Sequence, residues 1–317
     1  MAYELSNSFY EEFDYMFHEM LHQKGSQLMN VVQQEQVTGA VKYLRQAQVG
    51  DAHYVDDHGA PTQYTQVNFD RRKLEPKAFE CPLMLNKYDM VLQGMPDPGQ
   101  LAQEAADSCG KLIDQIIIKG IGGRAATAAS GDVTLPNTQY IRWNENTLCE
   151  NNAAGDGPAD GTGVSRATWR GLNVSKVAQA VQMLRTKFNS AMLVCVADNY
   201  AMSTLRADPR AANSLFNSGG PMLQIGQNSA YGGCDAFIPC EQVDTGVSTV
   251  AGNAPVSYAY IYAVDQVRLG SSMPLTMDAG QNGERGLNDV IIYRGMYDCV
   301  RMQEEGVVRI EINKSLA

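Results

Sequence analysis

The chain has 317 residues, 44% of them hydrophobic and 19% charged, with a formal net charge of −10 at pH 7. That composition supports one large folded domain or two ordinary ones with a sizeable core. The acidic balance argues against a free-standing, tight nucleic-acid binder, which would carry a basic footprint, although a wall that repels DNA needs no affinity for it. No run of about 18 apolar residues suggests a membrane span, and the start, MAYELSNSFYEEFDYMF, lacks the basic and apolar regions of a signal peptide.

Residues 1–45 read as helical. Phe9, Phe13, Phe17 and Leu21 recur every fourth position, with Glu11, Glu12, Asp14 and Glu19 on the other sides, and a second helical stretch after Gly25 carries Leu28, Val31, Val32 and Glu35. An acidic helix with three phenylalanines in a stripe needs a partner surface, on another subunit or on its own chain. From Gln46 to Met90 the texture turns to strand. Thr62–Phe69 and Lys77–Leu85 read as the two sides of a hairpin across DRRKLEP, with Pro76 marking the turn. A lone two-stranded hairpin is marginally stable, so something outside its own domain is expected to hold it. Arg71, Arg72 and Lys73 near the turn are the densest basic run, read either as a solvated turn or as an ion-pair contact with an acidic patch on another subunit.

Pro96–Gly122 predicts one long helix. Asp97 is a good N-cap, Pro98 suits the first helical position and Gln100 completes a capping-box spacing. Leu101, Ala105, Cys109, Leu112, Ile113, Ile116 and Ile117 form one apolar face, and Gly120, Gly122 and Gly123 supply a stop. Such a helix is about 39 Å long. Ala125–Leu172 is loop-rich, includes NNAAGDGPADGTG, and holds both Trp143 and Trp169. Asn173–Asn189 is an amphipathic helix capped by Asn173, with Val177, Ala180, Val181 and Leu184 facing inward. A buried strand, Ala191–Ala197, follows, then a helix from Asp198 that breaks at Pro209. Tyr258–Leu269 and Asp289–Tyr293 read as strands, and GVVRIEINK from Gly306 as a final alternating strand.

Catalytic and cofactor chemistry find no support in the motifs. Gly120-Ile-Gly122-Gly-Arg-Ala125 resembles a dinucleotide fingerprint, but its glycines close a helix where the mechanism needs them to open one. His18 and His22 share a helical face with no third metal ligand in view; His53 and His58 complete the histidines. The seven cysteines, Cys81, Cys109, Cys149, Cys195, Cys234, Cys240 and Cys299, include no C-x-x-C pair and read as free buried thiols of a cytoplasmically made protein. Asn173-Val-Ser175 and Asn313-Lys-Ser315 are formal glycosylation sequons without meaning there.

Taken in order, these parts resemble the major capsid proteins of tailed bacteriophages. Asp114-Gln-Ile-Ile-Ile running into Gly123-Arg-Ala125 is similar to the close of that family's spine helix. VSKVAQAVQMLRTKFNSAMLVCVADNYAMSTLRADPRAAN is similar to its axial-domain helix, strand and helix, and EEGVVRIEI to its final strand. The resemblance implies an α+β, Hong Kong 97-type fold. Its parts would be an N-terminal arm (1–45), an extended β-hairpin loop (46–92), a peripheral domain (93–172 and 286–317) with a spine helix over 97–122, and an axial α/β domain (173–285). It also implies a structural, non-enzymatic protein, made in the host bacterial cytoplasm, that assembles with itself as hexamers and pentamers into an icosahedral shell around double-stranded DNA, enclosed without tight specific binding. No cofactor, catalytic residue, metal or membrane is implied. A separate scaffolding protein, a portal at one vertex and decoration or cement proteins are the implied partners. Phe9, Phe13, Phe17, Arg71, Arg72, Lys73 and Lys77 are the candidate inter-subunit contacts, and a chain lacking residues 1–45 is expected to fold but not assemble. Two alternatives stand beside this: an encapsulin-like compartment shell, and an α/β enzyme with the loop 144–163 as a lid.

Overall fold

The computed structural model describes residues 7–21, 25–49, 67–85, 98–127, 131–142, 171–208, 211, 232–243, 245–247, 255–282 and 288–313. Four helices occur among them: α1 (Asn7–Met20), α2 (Pro98–Gly122), α3 (Val174–Arg185) and α4 (Asn199–Ala207). The strands of the first half are β1 (Gln33–Gln36), β2 (Lys42–Val49), β3 (Val67–Leu74), β4 (Lys77–Leu85), β5 (Ala125–Ala126), β6 (Asp132–Val133) and β7 (Tyr140–Ile141). Those of the second half are β8 (Leu193–Ala197), β9 (Ala236–Pro239), β10 (Thr245–Val247), β11 (Pro255–Ala263), β12 (Val267–Asn282), β13 (Asn288–Arg301) and β14 (Val307–Asn313). One sheet has the order β1-β12-β13-β4, a second the order β7-β14-β11-β8-β9 with β10 on β11, and β2–β3 and β5–β6 form separate ribbons.

Helix α2 is the element on which both sheets converge. Its N-terminal half buries small side chains, Ala102, Ala105, Ala106 and Cys109, and its C-terminal half buries Ile113, Ile117, Ile118 and Ile121. This spacing of three and four keeps one stripe inward. Small residues let other backbone approach closely. A Cβ on Gly110 would lie 2.3 Å from the carbonyl carbon of Gly25, and one on Gly120 would lie 2.5 Å from the carbonyl oxygen of Cys299. Gly120 and Gly122 therefore belong to the last turn of the helix, serving close packing, and the chain leaves it through the Gly123 N–H, which donates to the Lys119 carbonyl at 2.8 Å. Asp97 lies outside the described residues.

The second sheet separates two cores by strict alternation. Val194 and Val196 of β8, Tyr260 and Tyr262 of β11 and Val307 of β14 join the core around α2. Leu193, Cys195, Ala197, Ala259, Ile261, Ala263, Val308, Ile310 and Ile312 point the other way and are covered by α3 and α4. Both helices are capped as their sequences predict. The Asn173 side chain accepts from the Lys176 N–H, and the Asp198 side chain accepts from the Ala201 N–H. The Lys176 side chain is itself buried, its Nζ donating to the Gly171 carbonyl at 2.9 Å.

Burial draws the Lys176 pKa down to about 7, with Glu311 acting in the opposite sense. An unfolded chain holds that proton up to about pH 10.4, so between pH 7 and 10 the unfolded state binds the extra proton and stability rises with pH. Replacing Lys176 by Met should remove this contribution. Comparing urea midpoints at pH 7 and pH 9, the stability difference should move by about 2 kcal/mol in favour of the wild type at the higher pH. Parallel pH profiles would contradict it.

Several sequence expectations are corrected by the strand pairing. The segment after Gly25 is a short 3-10 turn, Met29–Val31, followed by β1, which runs parallel to β12 from Gln33↔Arg268 to Gln36↔Ser271. The hairpin pairs β2 with β3, from Lys42↔Leu74 to Val49↔Val67, and not β3 with β4. Strand β4 instead lies antiparallel on β13, from Lys77↔Tyr297 to Leu85↔Asp289. The physical reason sits between them: Pro76 has no N–H to donate to a ladder, and the Glu75 N–H is taken by the Asp298 carboxylate at 2.8 Å, so the chain swings from ribbon to sheet. Tyr258–Leu269 is two strands parted by a 3-10 turn at Val264–Gln266. The last strand, β14, read only as a terminal alternating strand, lies between β11 and β7 in the second sheet. Trp143, Trp169, Pro209 and the loop 144–163 lie outside the described residues.

Candidate assembly elements

The β2–β3 ribbon is fastened at its base. Arg72, 3% exposed, donates through Nε to the Met302 carbonyl at 2.9 Å and pairs with Glu304 at 2.7 Å, and its backbone bridges to Thr127. Beside it Arg301 is fully buried. Its guanidinium donates to the Ile121 and Gly123 carbonyls at the end of α2 and to the Val133 carbonyl of β6 at 2.7 Å. A cation at a helix C-terminus is favoured by the helix dipole as well as by the hydrogen bonds. The end of β13, the end of α2, the β5–β6 ribbon and the foot of the hairpin thus meet in one buried cluster. A phosphate would face the negative end of α2 here, so the glycine run at 120–125 is no nucleotide site.

Of the seven predicted contact residues, the structure turns four inward. Phe9, Phe13 and Phe17 are buried against this chain: the Phe17 ring stacks on Tyr293 with centroids 3.5 Å apart, Phe13 lies 6.0 Å from the same ring, and Phe9 stacks on Phe13. The Tyr293 hydroxyl reaches the Asp14 carboxylate at 3.4 Å. The stripe therefore finds its partner surface on α2 and β13, and Arg72 is a buried tie rather than a surface contact. Arg71 and Lys77 are exposed, while Lys73 pairs with Glu75 at 2.6 Å. On the opposite side of α1, Tyr15 is 72% exposed among the exposed Glu11, Glu12 and Glu19.

A further tie was not legible in the sequence. Asp114, buried on α2, accepts from the Ser26 hydroxyl at 2.7 Å and from the Gln27 and Leu28 N–H groups at 3.2 and 3.1 Å. Burial pushes its pKa up against these three hydrogen bonds. It holds the segment after α1 to the central helix, and only the sequence distance between Ser26 and Asp114 hid it. His18 pairs with Asp14 at 3.6 Å, and His22, His53 and His58 lie outside the described residues. Among the described residues no group of three or more His, Cys, Asp or Glu is placed to hold a metal ion, and no helix is long and apolar enough to cross a membrane.

The family described as phage capsid protein matches residues 5–314. The chain belongs to the phage capsid protein family. Solved structures agree on the fold at low identity. The capsid of cyanophage Pam1 aligns with TM-score 0.63 and 12% identity over 93% of each chain. The capsid of cyanophage P-SCSP1u aligns with TM-score 0.61 and 10% identity over 89% of this chain and 86% of that one. The virus-like particle from Pyrococcus furiosus aligns with TM-score 0.54 and 9% identity, covering 95% of this chain and 99% of that one. No curated protein matches the sequence. The mixed helix-and-strand architecture is thus the Hong Kong 97-type capsid fold, and this capsid protein has a structural role: it associates with copies of itself in a shell.

Proposed function

We propose that the chain is the major capsid protein of a tailed phage, assembling as hexamers and pentamers into an icosahedral shell that encloses double-stranded DNA. The observation that carries this reading is the family match across residues 5–314, in a chain whose whole described length is spent on that fold. The hairpin supports it. Its described strands pair with each other and meet the rest of the chain near Arg72, and a two-stranded ribbon is marginally stable alone, which fits a loop that a neighbouring subunit helps to hold. In this reading the second sheet with α3 and α4 forms the axial domain, and α2 with the first sheet forms the peripheral domain. A scaffolding protein, a portal at one vertex and cement proteins are the partners, and the net charge of −10 keeps the packaged DNA from sticking to the wall.

A compartment shell is the second reading, favoured by the alignment with the Pyrococcus furiosus virus-like particle. The contents of the particle separate the two. Particles isolated from producing cells should hold nuclease-protected double-stranded DNA under the capsid reading; particles holding a protein cargo and no DNA would replace it with the compartment.

Arg71 and Lys77, both exposed, are the basic residues placed to meet another subunit. Changing both to Glu should leave the melting temperature of the isolated chain nearly unchanged, since substitutions at exposed positions move stability by about 0.5 kcal/mol or less, while particle yield falls about tenfold, the cost of like charges meeting across an interface. Normal yield by sedimentation would remove these residues from the interface.

A further inference from the structure

A solvent-open cleft of about 590 Å³ lies between β4 and α2, with Phe79, Cys81, Ser108, Cys109 and Lys111 in its wall. Cys81 is half-buried on the strand and Cys109 is buried on the helix; both stand in the wall of this cleft with Ser108, and both pack in the same apolar cluster. The neighbouring Cys109, and secondarily Ser108, holds the Cys81 pKa below its usual value, whereas Cys81 and burial push Cys109 far up. The attacking form of a thiol is the thiolate, so the more exposed sulfur is the nucleophile and the buried one its resolving partner. Cys195, Cys234, Cys240 and Cys299 are buried thiols that burial raises in pKa, which makes them inert by comparison.

We infer that Cys81 and Cys109 are a redox-active pair that closes to a disulfide on meeting a small-molecule disulfide, clamping β4 to the central helix. The Cys81 thiolate attacks one sulfur of the small disulfide, forming a mixed disulfide and releasing one small thiolate. Cys109 then loses its proton to solvent and attacks the Cys81 sulfur, expelling the second small thiolate. Two protein thiols are oxidised and one small disulfide is reduced to two thiols. The new bond closes a loop through the chain between strand and helix, so the reduced protein made in a thiol-rich cell and the oxidised protein outside it differ in rigidity.

The test uses the full-length chain incubated with oxidised glutathione under native conditions, alkylated, digested without reduction and analysed by mass spectrometry. A peptide joining Cys81 to Cys109 is expected, with a rise in melting temperature of about 5 °C that reductant reverses. The variant Cys109→Ser should stop at glutathione on Cys81, and Cys81→Ser should leave Cys109 unmodified. Wild type that stops at glutathionylated Cys81 as the serine variant does, or that keeps both thiols open to alkylation, overturns the inference.

Discussion

Removing residues 1–45 should abolish folding of the remaining chain, not merely its assembly. Phe9, Phe13 and Phe17 of α1 sit at 7%, 0% and 0% exposure in the same core as Ile113, Ile117 and Tyr293. Truncating one buried phenylalanine costs about 3–5 kcal/mol, and a whole domain is stable by only about 5–15 kcal/mol. Deletion removes all three rings, strips β1 from β12, and leaves the Asp114 carboxylate without Ser26, Gln27 and Leu28. Residues 46–317 are therefore expected to show no cooperative thermal transition by circular dichroism. The gentler variant Phe17→Ala should fold with stability lowered by about 3–5 kcal/mol. A cooperative transition in the truncated chain would show that α1 is an appendage, as the resemblance to capsid arms implies.

The second large effect is expected at Arg301. Replacing it with Met keeps the length and removes the donors, leaving the carbonyls of Ile121, Gly123 and Val133 without their guanidinium partner inside the cluster. Each buried group left unsatisfied costs about 1–3 kcal/mol, and loss of one partner from a buried ionic cluster costs about 3–5 kcal/mol. Chemical unfolding of Arg301→Met should show a loss within that second range. Arg301→Lys should recover little, because one ammonium does not reproduce the planar fork that reaches three carbonyls. A variant within about 0.5 kcal/mol of wild type, the range of ordinary surface substitutions, would mean that the cluster does not bind the hairpin foot, α2 and β13 together.

What the sequence made legible was mostly local. The central helix, the capped helices α3 and α4 and the buried strand β8 are written in periodicities and caps within a few residues of one another, and the structure places them where those signals point. The order of these parts was enough for the family resemblance, which the match over residues 5–314 bears out. Pairing was not legible, because a ladder joins residues far apart. Two β-prone runs flanking a proline look like a hairpin, yet the partner of β3 lies upstream in β2 and the partner of β4 more than two hundred residues downstream in β13. The destination of the phenylalanine stripe was equally hidden. An amphipathic face states that it needs a partner, and only Tyr293 stacked on Phe17 states which one. Arg72 misled for a related reason: a basic run looks solvated until Glu304 and the Met302 carbonyl arrive from the other end of the chain.

The most direct test of the account is negative-stain electron microscopy of the purified full-length chain, alone and co-expressed with the product of the gene just upstream. Closed icosahedral shells in the co-expressed sample, or loose rings of six and five subunits in either, are the result this account predicts. A discrete monomer or dimer under both conditions would contradict it.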